Sequence, residues 1–200
     1  MNYEQQLDRV LDIQQAIPMD GSISVLTGRN GSGKSLVRKL LSAAAKKYHK
    51  KQLVHASMEL RTGSSSGFGA FLQDRSEMST SSHTAYLMQT ACKSLHGGFL
   101  CIDEVEIGLG EETILGSVEW LNANLKDYLK DTLGCLVITH SRLVVQNLKF
   151  DHWFSLDGFD TPYEWLQRPI VPTDLTAMRE NDVLFFRHVL KFIEEGKKGK

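Results

Sequence analysis

Apolar positions along the chain alternate between a helical period and unbroken runs, and each change of pattern marks an element. Residues 3 to 17 place Leu7, Val10, Leu11 and Ile17 on one helical face, and Pro18 to Gly21 end that helix. The run Ile23-Ser24-Val25-Leu26 has the β-branched, apolar character of a buried parallel strand, and Leu36, Val37, Leu40 and Leu41 return to helical spacing over 34 to 48. Leu53 to Met58 reads as a second strand. Gly63 to Gly69, with three serines inside, reads as a loop, and Phe71 to Asp74 is too short to assign. Leu87, Ala91, Cys92 and Leu95 predict a helix over 83 to 95, led in by Ser79-Thr80-Ser81-Ser82, whose hydroxyls suit an N-cap. The run Phe99-Leu100-Cys101-Ile102 predicts a third strand. A helix follows over 111 to 129, then strands over 134 to 139 and from Trp153 to Leu156. A proline-punctuated stretch leads from there to a terminal helix from about 180 to 195 that carries Val183, Phe186, Val189, Leu190 and Ile193.

Strands alternating with helices predict an α/β fold, a mostly parallel sheet with helices on both faces. In such sheets ligands bind beyond the carboxyl ends of the strands. Three of those ends carry chemistry here. The first is Gly28-Arg29-Asn30-Gly31-Ser32-Gly33-Lys34-Ser35, a glycine-rich loop between a strand and a helix. Its glycines let successive N–H groups turn inward, and the helix adds its positive dipole end, so it reads as a phosphate-binding loop. Lys34 is then placed to reach the β- and γ-phosphates of a nucleoside triphosphate and Ser35 to bind Mg²⁺. The second end is Asp103-Glu104, two carboxylates at the close of an apolar strand, with Asp103 suited to orient Mg²⁺ and Glu104 to take a proton from water. The third is Thr139-His140, where the imidazole can hydrogen-bond a γ-phosphate.

Composition narrows the class without naming a partner. With 200 residues, 42% hydrophobic and 24% charged, the chain has globular composition and length for one core, and its net charge of -1 offers no global field toward nucleic acid. The lysine run Lys46, Lys47, Lys50 and Lys51 suits a helix C-terminus, with DNA contact as the alternative reading. Cys92, Cys101 and Cys135 are odd in number and lie among apolar neighbours, as buried thiols of a reducing compartment do. No apolar stretch is long enough to span a bilayer, so a cytoplasmic location is expected. One domain is expected over 1–196, with a core of about 17–158 and a helical extension of about 170–196, ahead of a tail at 197–200.

With those motifs in view, the chain resembles the ATP-binding cassette (ABC) ATPases. Ile17 to Ser35 is similar to that family's first strand and Walker A motif, Phe99 to Glu104 to its Walker B motif and catalytic glutamate, and Leu136 to His140 to its switch-histidine strand. The resemblance implies a P-loop NTPase sandwich that binds ATP and Mg²⁺, with Arg29, Asn30, Gly31, Ser32, Gly33, Lys34 and Ser35 around the nucleotide. It also implies catalysis by Glu104 with His140 and Lys34, and Mg²⁺ held by Ser35 and Asp103. Ser79 to His83 stands where the family's signature lies, although it lacks the glycines. There Thr80, Ser81 and Ser82 would touch ATP held by a second copy of the chain, which implies a homodimer, and the alternative is an ordinary N-cap. Gln73 corresponds to the family's Q-loop glutamine and so to a metal contact. Val105 to Gly110 corresponds to its D-loop, with Gly110 where aspartate is common. The short span from Lys34 to Ser79 leaves no room for a full helical subdomain. Two other readings stay open: a nucleotide-dependent module that presents a surface to a protein or nucleic acid, and a kinase that recruits Arg61 or Arg75.

Overall fold

The structure, a computed structural model, describes residues 3–57, 80–104, 106–170, 183–185 and 187–191. The 63–69 loop, Arg61, Gln73, Arg75 and most of the terminal extension lie outside the described residues. Helix α1 (Tyr3–Ala16) precedes strand β1 (Ile23–Thr27), and helix α2 (Lys34–Ala44) starts at the lysine of the glycine-rich loop. A π-helical turn, Ala45–His49, prolongs α2 and carries its basic residues into solvent. Lys50 then takes the left-handed conformation that closes it. Strand β2 (Leu53–Ser57), helix α3 (Thr80–Lys93), strand β3 (Phe99–Asp103), helix α4 (Glu111–Tyr128) and strand β4 (Gly134–Thr139) follow, then helix α5 (Arg142–Asn147), strand β5 (His152–Ser155) and helix α6 (Pro162–Gln167).

Among the described residues, five strands pair in the order β2-β3-β4-β1-β5, every pair parallel. Because side chains alternate across a pleated strand, the buried runs serve two cores at once. Leu26, Phe99, Cys101, Leu136 and Ile138 face α1 and α2 through Val10, Ile13, Val37 and Leu41. Val25, Leu100, Ile102 and Val137 face the opposite way, onto Leu87, Met88, Val118, Leu121, Val144 and Trp165. An all-parallel sheet covered on both sides, with a phosphate-type loop joining its first strand to the next helix, is the P-loop NTPase α/β fold.

Helix α3 begins three residues earlier than its apolar spacing predicts, so Thr80, Ser81 and Ser82 form its first turn and do not precede it. The hydroxyl residues tolerate a helix start, and apolar periodicity alone cannot register that turn. Two short helices carry cap signals that the hydrophobic pattern hides. Ser141 caps α5 by accepting from Val144 N, and Thr161 with Glu164 forms a capping box on α6, with Pro162 at its first turn. All three cysteines are free and buried, and burial pushes the Cys92 thiol up to about 11.

The long helix α4 contains a replaceable weakness. Gly116 is exposed, and among the described residues a Cβ added there meets nothing within 4 Å. Gly116→Ala should therefore raise stability by about 0.5–1 kcal/mol by removing backbone freedom from the unfolded chain, read as a shift in urea midpoint.

Candidate functional site

The strand order brings the three chemical ends side by side. β4 lies between β1 and β3, with Thr27 level with Thr139 and Asp103 level with Ile138, so the glycine-rich loop, the acid pair and His140 share one edge of the sheet.

The loop itself is built around two positions where a side chain does not fit. A Cβ on Gly28 would stand 2.5 Å from Ser32 Oγ and 3.0 Å from Leu156 Cβ. Gly33 has φ of 102° and its Cβ would meet Val10 Cγ2 at 2.7 Å. The loop is pinned from outside: Arg29 N donates to Asp157 Oδ1 at 2.8 Å, and Gln6 Nε2 donates to Gly31 O at 2.8 Å. Within it, Ser32 N donates to Arg29 O at 3.1 Å. Among the described residues no hydrogen bond occupies the N–H groups of Asn30, Gly31 and Gly33. Those donors, with the first free amides of α2 beside them, make an anion-accepting concavity, which is the fit a polyphosphate requires.

Lys34 lies beneath this loop, buried, with Nζ donating to Gly28 O and Arg29 O at 3.0 Å each and standing 3.4 Å from Glu104 Oε1. Burial lowers its pKa, and the Glu104 carboxylate pushes the other way. His140 Nε2 approaches the same Oε1 to 2.6 Å, off the alignment of a good hydrogen bond. The neighbouring His140 ring and the Lys34 ammonium hold Glu104 below the ordinary carboxylate range, against the opposing effect of burial. Glu104 also has φ of 50°, a left-handed backbone that non-glycine residues take rarely, and its N–H is tied to Ile138 O at 2.9 Å.

Asp103 is engaged differently. Its Oδ2 lies 3.4 Å from Arg38 Nε and 3.3 Å from His55 Nε2, and the Arg38 Nη1 stands 3.4 Å from His55 Nδ1. Arg38 follows Ser35 by one turn on α2, and His55 is the lone ionisable side chain of β2. Sequence reading passed over both, although an imidazole inside Leu53-Val54-His55-Ala56 breaks an apolar run and so signals a partner. Ser35 itself is exposed at the start of α2. Among the described residues no three His, Cys, Asp or Glu side chains gather into a metal cluster.

A further carboxylate was missed. Glu106 accepts from Thr139 Oγ1 and, at 3.2 Å, from the His140 backbone N–H. Burial raises its pKa, with the Thr139 bond opposing. Its sequence signal is an acid next to Ile107 directly after an apolar strand. A group whose folded pKa is raised stabilises the fold below its unfolded pKa of about 4.5, and that contribution is lost as pH rises through the folded value. Glu106→Gln escapes this loss, so its stability relative to the parent should increase between pH 4 and pH 7.5 in paired urea titrations; a constant difference would contradict the assignment.

Of the other expected contacts, Thr80, Ser81 and Ser82 stand together at the head of α3, but the side chains of Thr80 and Ser81, like Gln73, lie outside the described residues. Gly110 caps α4 in an extended conformation, and among the described residues no neighbour stands within 4 Å of the Cβ position. An aspartate fits there, so the glycine is not a steric need.

No protein-family model matches the chain, and no curated protein does. Among solved structures, a nucleotide-free ATP-binding cassette from an ABC transporter is similar, with a TM-score of 0.47 and 14% identity over 68% of this chain and 76% of that one. The likeness is distant and identifies no particular family. Among the described residues no helix is long and apolar enough to cross a membrane.

Proposed function

We propose that the protein binds ATP with Mg²⁺ and hydrolyses it to ADP and phosphate, in an ABC-type cycle in which two copies close head to tail around the nucleotide. The observation that carries this reading is the meeting of Lys34, Glu104 and His140 at one point below the glycine-rich loop.

The loop amides of Asn30, Gly31 and Gly33 and the start of α2 receive the phosphates, flanked by Arg29 and Ser32, and Lys34 exchanges its carbonyl partners for phosphate oxygens. Ser35 and Asp103 are the residues that would hold Mg²⁺, which neutralises charge developing on the β- and γ-phosphates. Asp103 enters that role already steadied by Arg38 and His55. Glu104 orients a water molecule in line with the γ-phosphorus. As the water oxygen bonds to phosphorus and the bond to the β–γ bridging oxygen breaks, the water proton passes to the Glu104 carboxylate, and ADP departs with the electron pair. Because its neighbours keep Glu104 ionised, it accepts that proton late and acts first by orientation. His140 donates to the γ-phosphate and so reports whether it is attached. Thr80, Ser81 and Ser82, at the start of a helix, are the groups offered to ATP on the second copy, and Gln73 is a further metal contact. The cytoplasm is the proposed location, and a protein or nucleic acid is the proposed recipient of the cycle.

Two measurements on the purified chain test this reading together: phosphate release with Mg-ATP, and particle size with and without ATP. Steady release and ATP-dependent doubling in size are expected. Binding without release would support a nucleotide-dependent module in its place, and phosphate transfer only to an added acceptor would support a kinase.

A further inference from the structure

The strand end that presents His140 is fastened by a side chain that takes no part in the chemistry above. Both ladders of β4 are finished by Thr139, since its last partners are Thr27 on β1 and, at Ile138, Asp103 on β3. The His140 N–H therefore lies beyond the sheet. Glu106 Oε1 receives it at 3.2 Å, and the same oxygen receives the Thr139 hydroxyl. That hydroxyl in turn accepts from Ser141 N at 2.9 Å, so residues 139 to 141 are gathered on one carboxylate.

Glu106 belongs to the turn that begins at Glu104, a turn closed by Ile107 N donating to Glu104 O at 3.2 Å and Leu109 N to Glu106 O at 3.1 Å. Two acids, two residues apart, thus grip one histidine. Glu104 meets its ring and Glu106 its backbone. We propose that Glu106 is a positioning residue, which fixes the His140 imidazole against Glu104 and so sets the geometry in which Glu104 orients water. This rests on the hydrolytic reading of the site.

The surroundings leave Glu106 few alternatives. Glu106 borders a cavity of about 20 Å³ whose lining is otherwise apolar, with Ile102, Leu109, Ile114, Val137 and Val144, except for Ser117. Such a space admits at most one water and offers it few polar partners. The oxygen that loses Thr139 and His140 is left half-buried and unpaired, and the amide of His140 with it. The acid is explained by what it holds in place, the Thr139 hydroxyl and the His140 amide.

Three variants and two readouts test this. Glu106→Leu removes the acceptor and fits the apolar surroundings, Glu106→Gln keeps an acceptor oxygen without the charge, and Thr139→Val removes the hydroxyl but spares the His140 amide bond. Glu106→Leu should lower kcat for phosphate release by about 10- to 100-fold while the Kd for ATP changes by less than about threefold, the pattern of a displaced group that does not bind ground-state nucleotide. Glu106→Gln should restore most of that loss, and Thr139→Val should fall between the two. In parallel, hydrogen exchange at the His140 amide should speed up at least about tenfold in Glu106→Leu and stay slow in Glu106→Gln. The proposal is overturned if Glu106→Leu keeps its kcat, if ATP affinity falls in step with kcat, if Glu106→Gln fails as badly as Glu106→Leu, or if His140 exchange is unchanged by Glu106→Leu. Should the parent protein release no phosphate, the hydrolytic reading fails, and exchange at His140 then decides by itself whether Glu106 holds the segment.

Discussion

Replacing Glu104 with glutamine should lower the rate of phosphate release by about 100- to 10,000-fold, the usual contribution of a positioned general base. The substitution keeps the length and shape of the side chain, so the contacts at 2.6 Å to His140 and 3.4 Å to Lys34 lose their charge more than their geometry. Removing a negative charge next to the phosphates should also leave ATP affinity unchanged or higher. The variant should then accumulate with ATP bound, and as a double-sized particle if two copies close on the nucleotide. Phosphate release at the parental rate would exclude Glu104 as the base and, with it, the hydrolytic arrangement of the three strand ends. Loss of ATP binding in parallel with turnover would instead make Glu104 a structural partner of Lys34.

Lys34→Met should weaken ATP binding by at least about 10- to 100-fold, the worth of one or two charge-assisted hydrogen bonds, and should leave the fold standing. The two effects separate because the ammonium is a burden to the folded chain before it is an asset to the site. It is 7% exposed, and burial is the first cause that lowers its pKa. Methionine fills nearly the same volume beneath the loop without a charge to desolvate, at the cost of the bonds to Gly28 O and Arg29 O. The unfolding midpoint in urea should therefore move little while the binding isotherm moves far. Affinity within about threefold of the parent would show that the concavity does not use Lys34 for phosphate.

Most of the strands and helices were legible because buried parallel strands write themselves as apolar runs. Phe99 to Asp103 and Gly134 to Thr139 are such runs, and both form strands. Sheet order was not legible, because no pattern within β4 says that it inserts between β1 and β3; that follows from how crossovers pack. Local cap chemistry was present but overshadowed, as Thr161-Pro162-Tyr163-Glu164 illustrates. For the site, Lys34, Glu104 and His140 could be picked out because each stands at a strand end or a glycine-rich turn, and the structure brings them into contact. Arg38, His55 and Glu106 were hidden for a shared reason. Each acts by reaching across from a neighbouring element, and only the folded sheet sets the distances from Arg38 and His55 to Asp103, or from Glu106 to Thr139 and His140.

The left-handed backbone at Glu104 implies a conflict between inheritance and comfort. An L-residue at φ of 50° carries strain of about 1–3 kcal/mol, whereas glycine adopts that conformation freely. The acid therefore occupies a place in its turn where losing the side chain would relax the backbone. A lineage of this protein selected only for folding would feel that pull toward glycine at position 104 against the loss of the carboxylate beside buried Lys34, and one selected for turnover would hold the glutamate regardless. Sequencing survivors of random mutagenesis under a screen for folded protein alone would record which of the two wins.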